Sequence, residues 1–554
     1  MTQPRHFEYH KGYSDMWAQN YTPLAGNLAL SAIVAALPAF AMLYLLGIKR
    51  LPAWKASLAG LGAAVVVALV LYRMPVGLVA GSLGYGAAFG LFPIGWIIFA
   101  AILLYRVVVE SGKFEIIKDS LGGLTQDRRL QALLIAFCFG AFLESAAGFG
   151  TPVAVAATML IGLGFSPFYA AGLCLLANTV PVAFGSIGIP VVTLAAVTGL
   201  PINGLSGAVG LICLPASLLL PAYIVFVMGG WKALKGVLPA AVVVGALWGG
   251  VQFLIARYIG PHLASMGGAL AALAGFVILL LVWKPKDSFT LEGDHAVQTA
   301  TRRHAAGAVL WAWSPYAILV TMVVLGSVSK TLLSKVAIAF PWPGLHLMVT
   351  EMAPVVPAPT PYAAIYRFDW LGAAGTAAVL AAVLSSALLG LSPARFGRVL
   401  RATAKQVFFS EITIAAVLAL AFVMNYSGAT ATLGLVFANT GALFPFFSAV
   451  LGGLGGFLTG SITSANALFG NLQVVTATRL GLSPTLMAAA NSNGSMMAKM
   501  ISLQSIAVAA AGAGLKPSDE GGLFRFALRH SVLLILLVAL FVIFLAYVAP
   551  QWVP

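Results

Sequence analysis

Residues 139–158 read FGAFLESAAGFGTPVAVAAT, where one glutamate, three glycines and a proline interrupt an unbroken run of small and apolar side chains. A helix carrying Glu144 is expected to stop near Gly148 and resume at Pro152, because proline lacks the amide an interior turn needs and glycine holds a helix poorly. In hydrocarbon each unpaired backbone group costs several kcal/mol, so a break at membrane depth survives only against protein or a water-filled cavity. The rest of the chain puts this stretch in a membrane.

Of 554 residues, 61% are hydrophobic and 8% charged, and the mean hydropathy is +0.99; globular domains carry roughly 25% charged residues. The expected fold is an all-α polytopic integral membrane protein. Apolar windows recur at 28–46, 56–72, 94–109, 214–228, 238–255, 269–283, 309–328, 370–389, 407–424 and 532–548. A spanning helix needs about 20 apolar residues, and with the broken pieces between these windows the expectation is about 12–14 membrane segments.

A net charge of +15 would suit nucleic acid in a soluble protein, but Lys and Arg gather in short links, as at Lys49, Arg50, Lys55 and at Arg395, Arg398, Arg401, Lys405. The positive-inside rule accounts for them, and no nucleic-acid partner is expected. Taking the links around Lys49, 106–129, Lys232, 284–303 and Arg395 as cytoplasmic puts the N-terminal tail and the Pro- and Trp-rich segment 329–368 outside, with Arg73 and Arg367 as exceptions. The tail, with His6, Glu8, His10 and Asp15, lacks the features of a signal peptide, so the first apolar segment reads as a retained anchor. Cys138, Cys174 and Cys213 have no metal-binding spacing; neither a metal nor a cofactor is expected.

No polar stretch is long enough for a separate soluble domain. The chain reads as one transporter domain, 1–554, with a first half at about 24–283 holding a hairpin at 131–163, a second half at about 305–550 holding a hairpin at 444–480, and a cytoplasmic link, 284–304. GAFLESAAGFGTPVAVAATMLIGLGFSPFYAAG (140–172) echoes GGFLTGSITSANALFGNLQVVTATRLGLSPTLMAAA (455–490), which fits a duplication; likeness of composition alone is the other reading. Secondary transporters bind substrate at broken helices near the midplane, where repeats meet. A helix resuming at Pro152 would aim free N–H groups into such a cavity, which suits an anion. The second break, FLTGSITSANALFGN (457–471), offers Thr459, Ser461, Thr463, Ser464, Asn466 and Asn471 as hydrogen-bond partners for a carboxylate or hydroxyl.

ESAAGFGTPVA (144–154), AAGLCLLANTVPVAFGSIGIP (170–190), FLTGSITSANALFGNLQ (457–473) and AKMISLQSIA (498–507) resemble the L-lactate permease family of bacterial transporters. The similarity runs from WAQNYTPLAGNLALS (17–31) and YGAAFGLFPIGWIIFAA (85–101) to GGLFRFALRHS (521–531), leaving out the link near residue 290 and the outer loop. It implies proton-coupled uptake of L-lactate, with D-lactate and glycolate as further substrates, across the bacterial cytoplasmic (inner) membrane. It also implies an ion-transporter-like architecture of inverted repeats with paired re-entrant hairpins. The chain departs from the family pattern at Ile462, where many members carry an aspartate, and at Leu503, where a proline is usual. Glu144 and Glu411 are then the better placed acids.

Ionisable residues inside a membrane cost about 2.5–3.5 kcal/mol each and usually face a bundle interior or cavity. Glu144 reads as a proton carrier beside an anion site or as a structural acid capping the break; Glu411, in VFFSEITIAAV, reads as a second proton-coupling acid or as a salt bridge to the nearby basic link. Lys499, in NSNGSMMAKMISLQS, would meet the substrate carboxylate or neutralise one of those acids. Ser145, Gly148, Gly150, Thr151 and Asn178 around the first break, with Ser461, Thr463, Ser464 and Asn466 at the second, complete the substrate-binding candidates. For Asn178, as for Asn491 and Asn493, a buried interhelical hydrogen bond is the alternative. Arg479 reads as an interfacial anchor, and Arg106 with Glu110 as a local pair four residues apart.

Lactate is an anion at neutral pH, and carrying it into a negative interior costs about 2.3 kcal/mol per 100 mV; a co-transported proton removes that cost. A passive monocarboxylate channel is the nearest alternative. An intramembrane hydrolase, suggested by GLSG at 204–207, lacks a well-placed histidine base, so the chain is not expected to be an enzyme. A homo-oligomer is compatible with the composition.

Overall fold

A computed structural model of the chain describes residues 16–148, 151–287, 289 and 304–554. The tail 1–15, Gly150 at the first break and most of the link 284–304 lie outside the described residues. The protein is 78% helical, and eleven described helices are long and apolar enough to cross a membrane. The longest, Ile202–Tyr258, departs from helical geometry at Gly229 and Gly230, the latter at φ +64. That turn separates the apolar windows 214–228 and 238–255, and Phe289 packs where a Gly229 side chain would stand.

The basic links meet on one face of the bundle. Arg395 pairs with Glu110 at 3.3 Å, Arg106 donates to Gln406 at 2.7 Å, and Trp54 stacks on Phe409 at 5.3 Å. Arg106 and Glu110 therefore do not serve each other. The Pro393–Ser427 helix packs along Trp96–Glu110 and supplies a partner to each. Arg129, fully buried at the foot of the first broken helix, is neutralised by Asp127 at 2.7 Å and Asp287 at 2.9 Å.

The opposite face carries two short sheets, which the sequence reading did not include. Trp17–Ala18 pairs with Val349–Glu351, which pairs with Thr360–Pro361; Ile338–Pro341 runs antiparallel to Ile365–Phe368. Six prolines between 341 and 361 deny this segment a helix. The strand at 17–18 leads into a strap whose Gln19 Nε2 donates to the carbonyls of Asn425 and Tyr426, each at 2.9 Å. Those are last-turn carbonyls of Pro393–Ser427, where the helix's own ladder runs out; that of Asn425 also accepts the Gly428 cap amide at 3.2 Å. Asn425 Nδ2 in turn donates to the Val197 carbonyl at 3.1 Å, at the end of Gly185–Thr198.

Two broken helical pairs enter from opposite faces. Gly140–Ala146 and Thr151–Gly162 start and finish on the basic face, where Arg128 donates to the Leu163 carbonyl. Phe444–Thr459 and Ile462–Leu480 have their outer ends on the sheet face, where Arg479 and Leu480 share a cavity with the Gln19 strap. Two further crossings are broken, Pro167–Ala177 into Gly185–Thr198 and Pro484–Lys499 into Leu503–Gly512. Backbone touches backbone where Phe444–Thr459 crosses Pro484–Lys499: a Cβ on Gly452 would strike the Asn491 carbonyl, and one on Gly494 the Ala449 carbonyl.

Candidate functional site

The first break forms as its composition requires. Ala147 leaves the helix at φ −124 and Gly148 adopts φ +61, the left-handed region that favours glycine. A Cβ on Gly148 would collide with Ser186 Oγ. Ser186 belongs to the neighbouring break, where Ser186 (φ +45), Ile187 (φ +59) and Gly188 (φ +81) are all left-handed. Two of these three are not glycine, and such strain persists only where surrounding structure enforces it. Ser186 Oγ donates to the Ala147 carbonyl at 3.4 Å, so the second break supplies a partner for the first one's loose backbone.

Glu144, only 2% exposed, lies one turn before this junction. Its Oε2 accepts from Asn178 Nδ2 at 3.0 Å and its Oε1 faces Lys499 Nζ at 3.4 Å. Lys499 closes the Pro484–Lys499 helix, where the dipole favours a cation. The pair borders a cavity of about 170 Å³ that is also lined by Ser186, residues 459–464, Gln504 and Ser505. One buried water needs roughly 10–15 Å³, so the space admits several waters or a small organic acid. Glu144 is the one acid and Lys499 the one base among its described lining residues.

Two helices begin at this cavity. Ser461 Oγ accepts from the Ser464 amide at 3.2 Å, which leaves the amides of Ile462 and Thr463 without helical partners. Ser502 Oγ caps Leu503–Gly512 in the same way, accepting from the Ser505 amide at 3.1 Å. Both amino ends add positive potential to that of Lys499. The arrangement can hold an anion.

Of the candidates read from the sequence, Glu144, Ser461, Thr463, Ser464 and Lys499 come together around the cavity. Asn178 stands behind Glu144 and borders a small adjoining space of about 20 Å³. Gly148 shapes the break, Thr151 opens the next helix, and Gly150 lies outside the described residues. Ser145 Oγ turns back to the Ala141 carbonyl of its own helix at 2.8 Å. Asn466 is fully buried and ties its helix to the Pro190 carbonyl at 3.0 Å and to Ser492 Oγ at 3.1 Å. Glu411 also stands off the cavity: Ser410, Thr413 and Ile414 line it, while the Glu411 carboxyl occupies the space where a Gly95 side chain would be. Its Oε1 is buried without a hydrogen-bond partner, and among the described residues it has no ion pair.

Gln504, Ser505, Ser410, Thr413 and Ser57 line the cavity without having been singled out from the sequence. The spacing of Ser502 and Ser505 is a capping signal that could have found the end of the cavity holding Gln504 and Ser505; Ser410, Thr413 and Ser57 sit on regular helices and carry no mark. Ser206 of GLSG is fully buried within Ile202–Tyr258, with its Oγ unpartnered. Among the described residues no three His, Cys, Asp or Glu side chains group as metal ligands would.

A helical membrane body whose broken crossings enclose one small polar cavity is that of a multi-pass membrane transporter. The family described as L-lactate permease matches residues 31–549, and the chain belongs to it. The L-lactate permease of Bacillus subtilis is 43% identical over 562 residues, covering 97% of this chain and 99% of that one. The glycolate permease GlcA of Escherichia coli is 42% identical over 552 residues, covering 96% and 98%. Among solved structures, Neisseria gonorrhoeae MtrF, of a class of antimetabolite efflux pumps, is similar with a TM-score of 0.46 at 12% identity over 85% of this chain and 83% of that one. Members of the family are transporters and not enzymes, which removes the hydrolase reading.

Proposed function

We propose that the chain carries lactate and glycolate, the acids named for its relatives, in company with a proton across the cytoplasmic membrane. The observation that supports this best is the shared cavity of Glu144, Lys499 and the amino end of Ile462–Leu480. The substrate carboxylate meets the free amides of Ile462 and Thr463 and the Lys499 ammonium; Ser461, Thr463 and Ser464 are within reach of its hydroxyl. Glu411, off the cavity, remains a second candidate for proton coupling.

Coupling follows from charge. Empty, the ionised Glu144 and Lys499 cancel. A bound carboxylate competes for Lys499 and leaves Glu144 uncompensated, and an unpaired buried charge is costly. Protonation of Glu144 restores neutrality, so the empty site and the site holding one anion and one proton are both neutral, while either ion alone leaves a net charge. The basic face is read as cytoplasmic on the positive-inside rule. The opposite entry of the two broken pairs is what inverted repeats, 24–283 and 305–550, would produce.

The test is uptake of labelled L-lactate, D-lactate and glycolate by purified protein in liposomes, with and without an imposed pH difference. Accumulation should follow the inward proton gradient, and unlabelled substrate inside should drive counterflow. Flux that ignores pH and shows no counterflow would establish a passive channel instead. A Glu144→Gln protein that still accumulates lactate in response to pH would remove Glu144 from the coupling role.

A further inference from the structure

The sheet face holds a second cavity, of about 640 Å³, between the Gln19 strap, Met352 to Pro354, Asn439 and the end of Ile462–Leu480. Arg479 is the one charged residue in its described lining. It is exposed, and among the described residues its side chain has no ion pair or hydrogen bond. Capping its own helix does not account for it: the carbonyls of Ala477 and Thr478 already accept the Gly481 amide, and Ala477 also accepts that of Leu482 at 2.9 Å. The Asn439 carboxamide makes no hydrogen bond among the described residues, and the Asn20 side chain uses only its oxygen, for the Thr22 amide at 3.0 Å. The lining thus offers a guanidinium fork and carboxamide donors with no carboxylate to neutralise them. The nearest acid in sequence to this wall is Glu351, which is not among the lining residues and whose carboxyl burial shifts upward from its ordinary value.

Location gives these donors a use. One helix joins the two cavities: its first amides face the Glu144 cavity, and Arg479 stands 18 residues along from Ser461, about 27 Å at 1.5 Å per residue. The Gln19 strap, part of the outer cavity's wall, is bonded across the end of Pro393–Ser427. An anion arriving at the sheet face therefore meets Arg479 at the outer end of this helix, beside the strap. Arginine suits this role because its planar fork matches a carboxylate with two parallel hydrogen bonds.

We propose that the cavity around Arg479 is a vestibular capture site for the carboxylate of the transported acid. The proposal rests on the reading of the chain as a monocarboxylate carrier. It is tested by the concentration dependence of lactate uptake in membrane vesicles of the two opposite orientations, for the unaltered protein, Arg479→Gln and Arg479→Lys. Arg479→Gln raises KM about tenfold, as loss of a charge-assisted hydrogen bond would, in one vesicle orientation only and with maximal rate unchanged; Arg479→Lys recovers most of the affinity. Added salt raises the KM of the unaltered protein in that orientation and leaves that of Arg479→Gln where it is. An unchanged KM in Arg479→Gln, or equal changes in both orientations, overturns the capture site while the carrier reading stands. Absence of lactate uptake by the unaltered protein overturns both.

Discussion

Lys499 Nζ lies 3.4 Å from Glu144 Oε1 across 355 residues of chain. The contact joins the break after Ala146 to the break after Lys499, so the two interruptions are held by one ion pair as well as by packing. In a bundle made mostly of apolar helices, it is the one ion pair lining the central cavity among the described residues.

Removing one member of a buried pair strands the other, at about 3–5 kcal/mol. Lys499→Ala should therefore lower the melting temperature in detergent and abolish lactate uptake. Glu144→Gln combined with Lys499→Ala should recover most of the melting temperature, since no buried charge is left, without recovering uptake. A double variant as unstable as Lys499→Ala would show that the pair does not stabilise the fold.

Gly494 and Gly62 give a matched comparison. A Cβ at Gly494 would strike the Ala449 carbonyl, while at Gly62 it meets nothing within 4 Å. Overpacking costs typically about 1–3 kcal/mol, and here the obstacle is backbone that cannot rotate away. Gly494→Ala should reduce folded yield and melting temperature, and Gly62→Ala should leave both unchanged or slightly raised. Equal behaviour of the two would mean that the helix pair shifts apart freely.

What the sequence revealed follows the same physics. Charge buried in lipid and helices broken in lipid are both costly, so Glu144, Lys499 and Gly148 stood out against their surroundings. Ser410 and Glu411 are adjacent on one regular helix, about 100° apart around its axis, and composition does not say which faces the cavity; the structure gives that position to Ser410. The partners of Arg106 and Glu110 were hidden for a related reason. They lie on a helix some 300 residues away, and spacing along one helix reports only its own neighbours. The strands at the sheet face are too short for alternation to declare them.

Asp287 gives a pH dependence outside the membrane. Hydrogen bonds from the Arg129 guanidinium hold its carboxyl below the ordinary value of 3.8. A depressed carboxyl stabilises the fold above its unfolded value, and that contribution fades as pH falls through the lower folded value. Asp287→Ala should thus melt below the unaltered protein at pH 6, and the two curves should converge below about pH 3.8. Because the side chain is 50% exposed, the gap is expected to be small, and to shrink in high salt. Curves that stay parallel down to pH 3 would assign the effect of the substitution to packing.

The Gln19 strap makes the last case. Its amide serves two carbonyls at the end of Pro393–Ser427, and its Oε1 accepts from Tyr21 at 2.9 Å. Tyr21 in turn accepts from the Met352 amide at 3.0 Å, so two bonded side chains connect the N-terminal strap, the outer segment and a central helix. If the carrier alternates between faces, these bonds must part when the sheet face opens. Gln19→Ala should therefore favour that opening without touching the Glu144 cavity. A cysteine placed at Thr430, 3% exposed beside this junction, should react slowly with a membrane-impermeant maleimide in the parent and several times faster once Gln19 is alanine. Unchanged labelling with unchanged uptake would make the strap a fixed part of the scaffold.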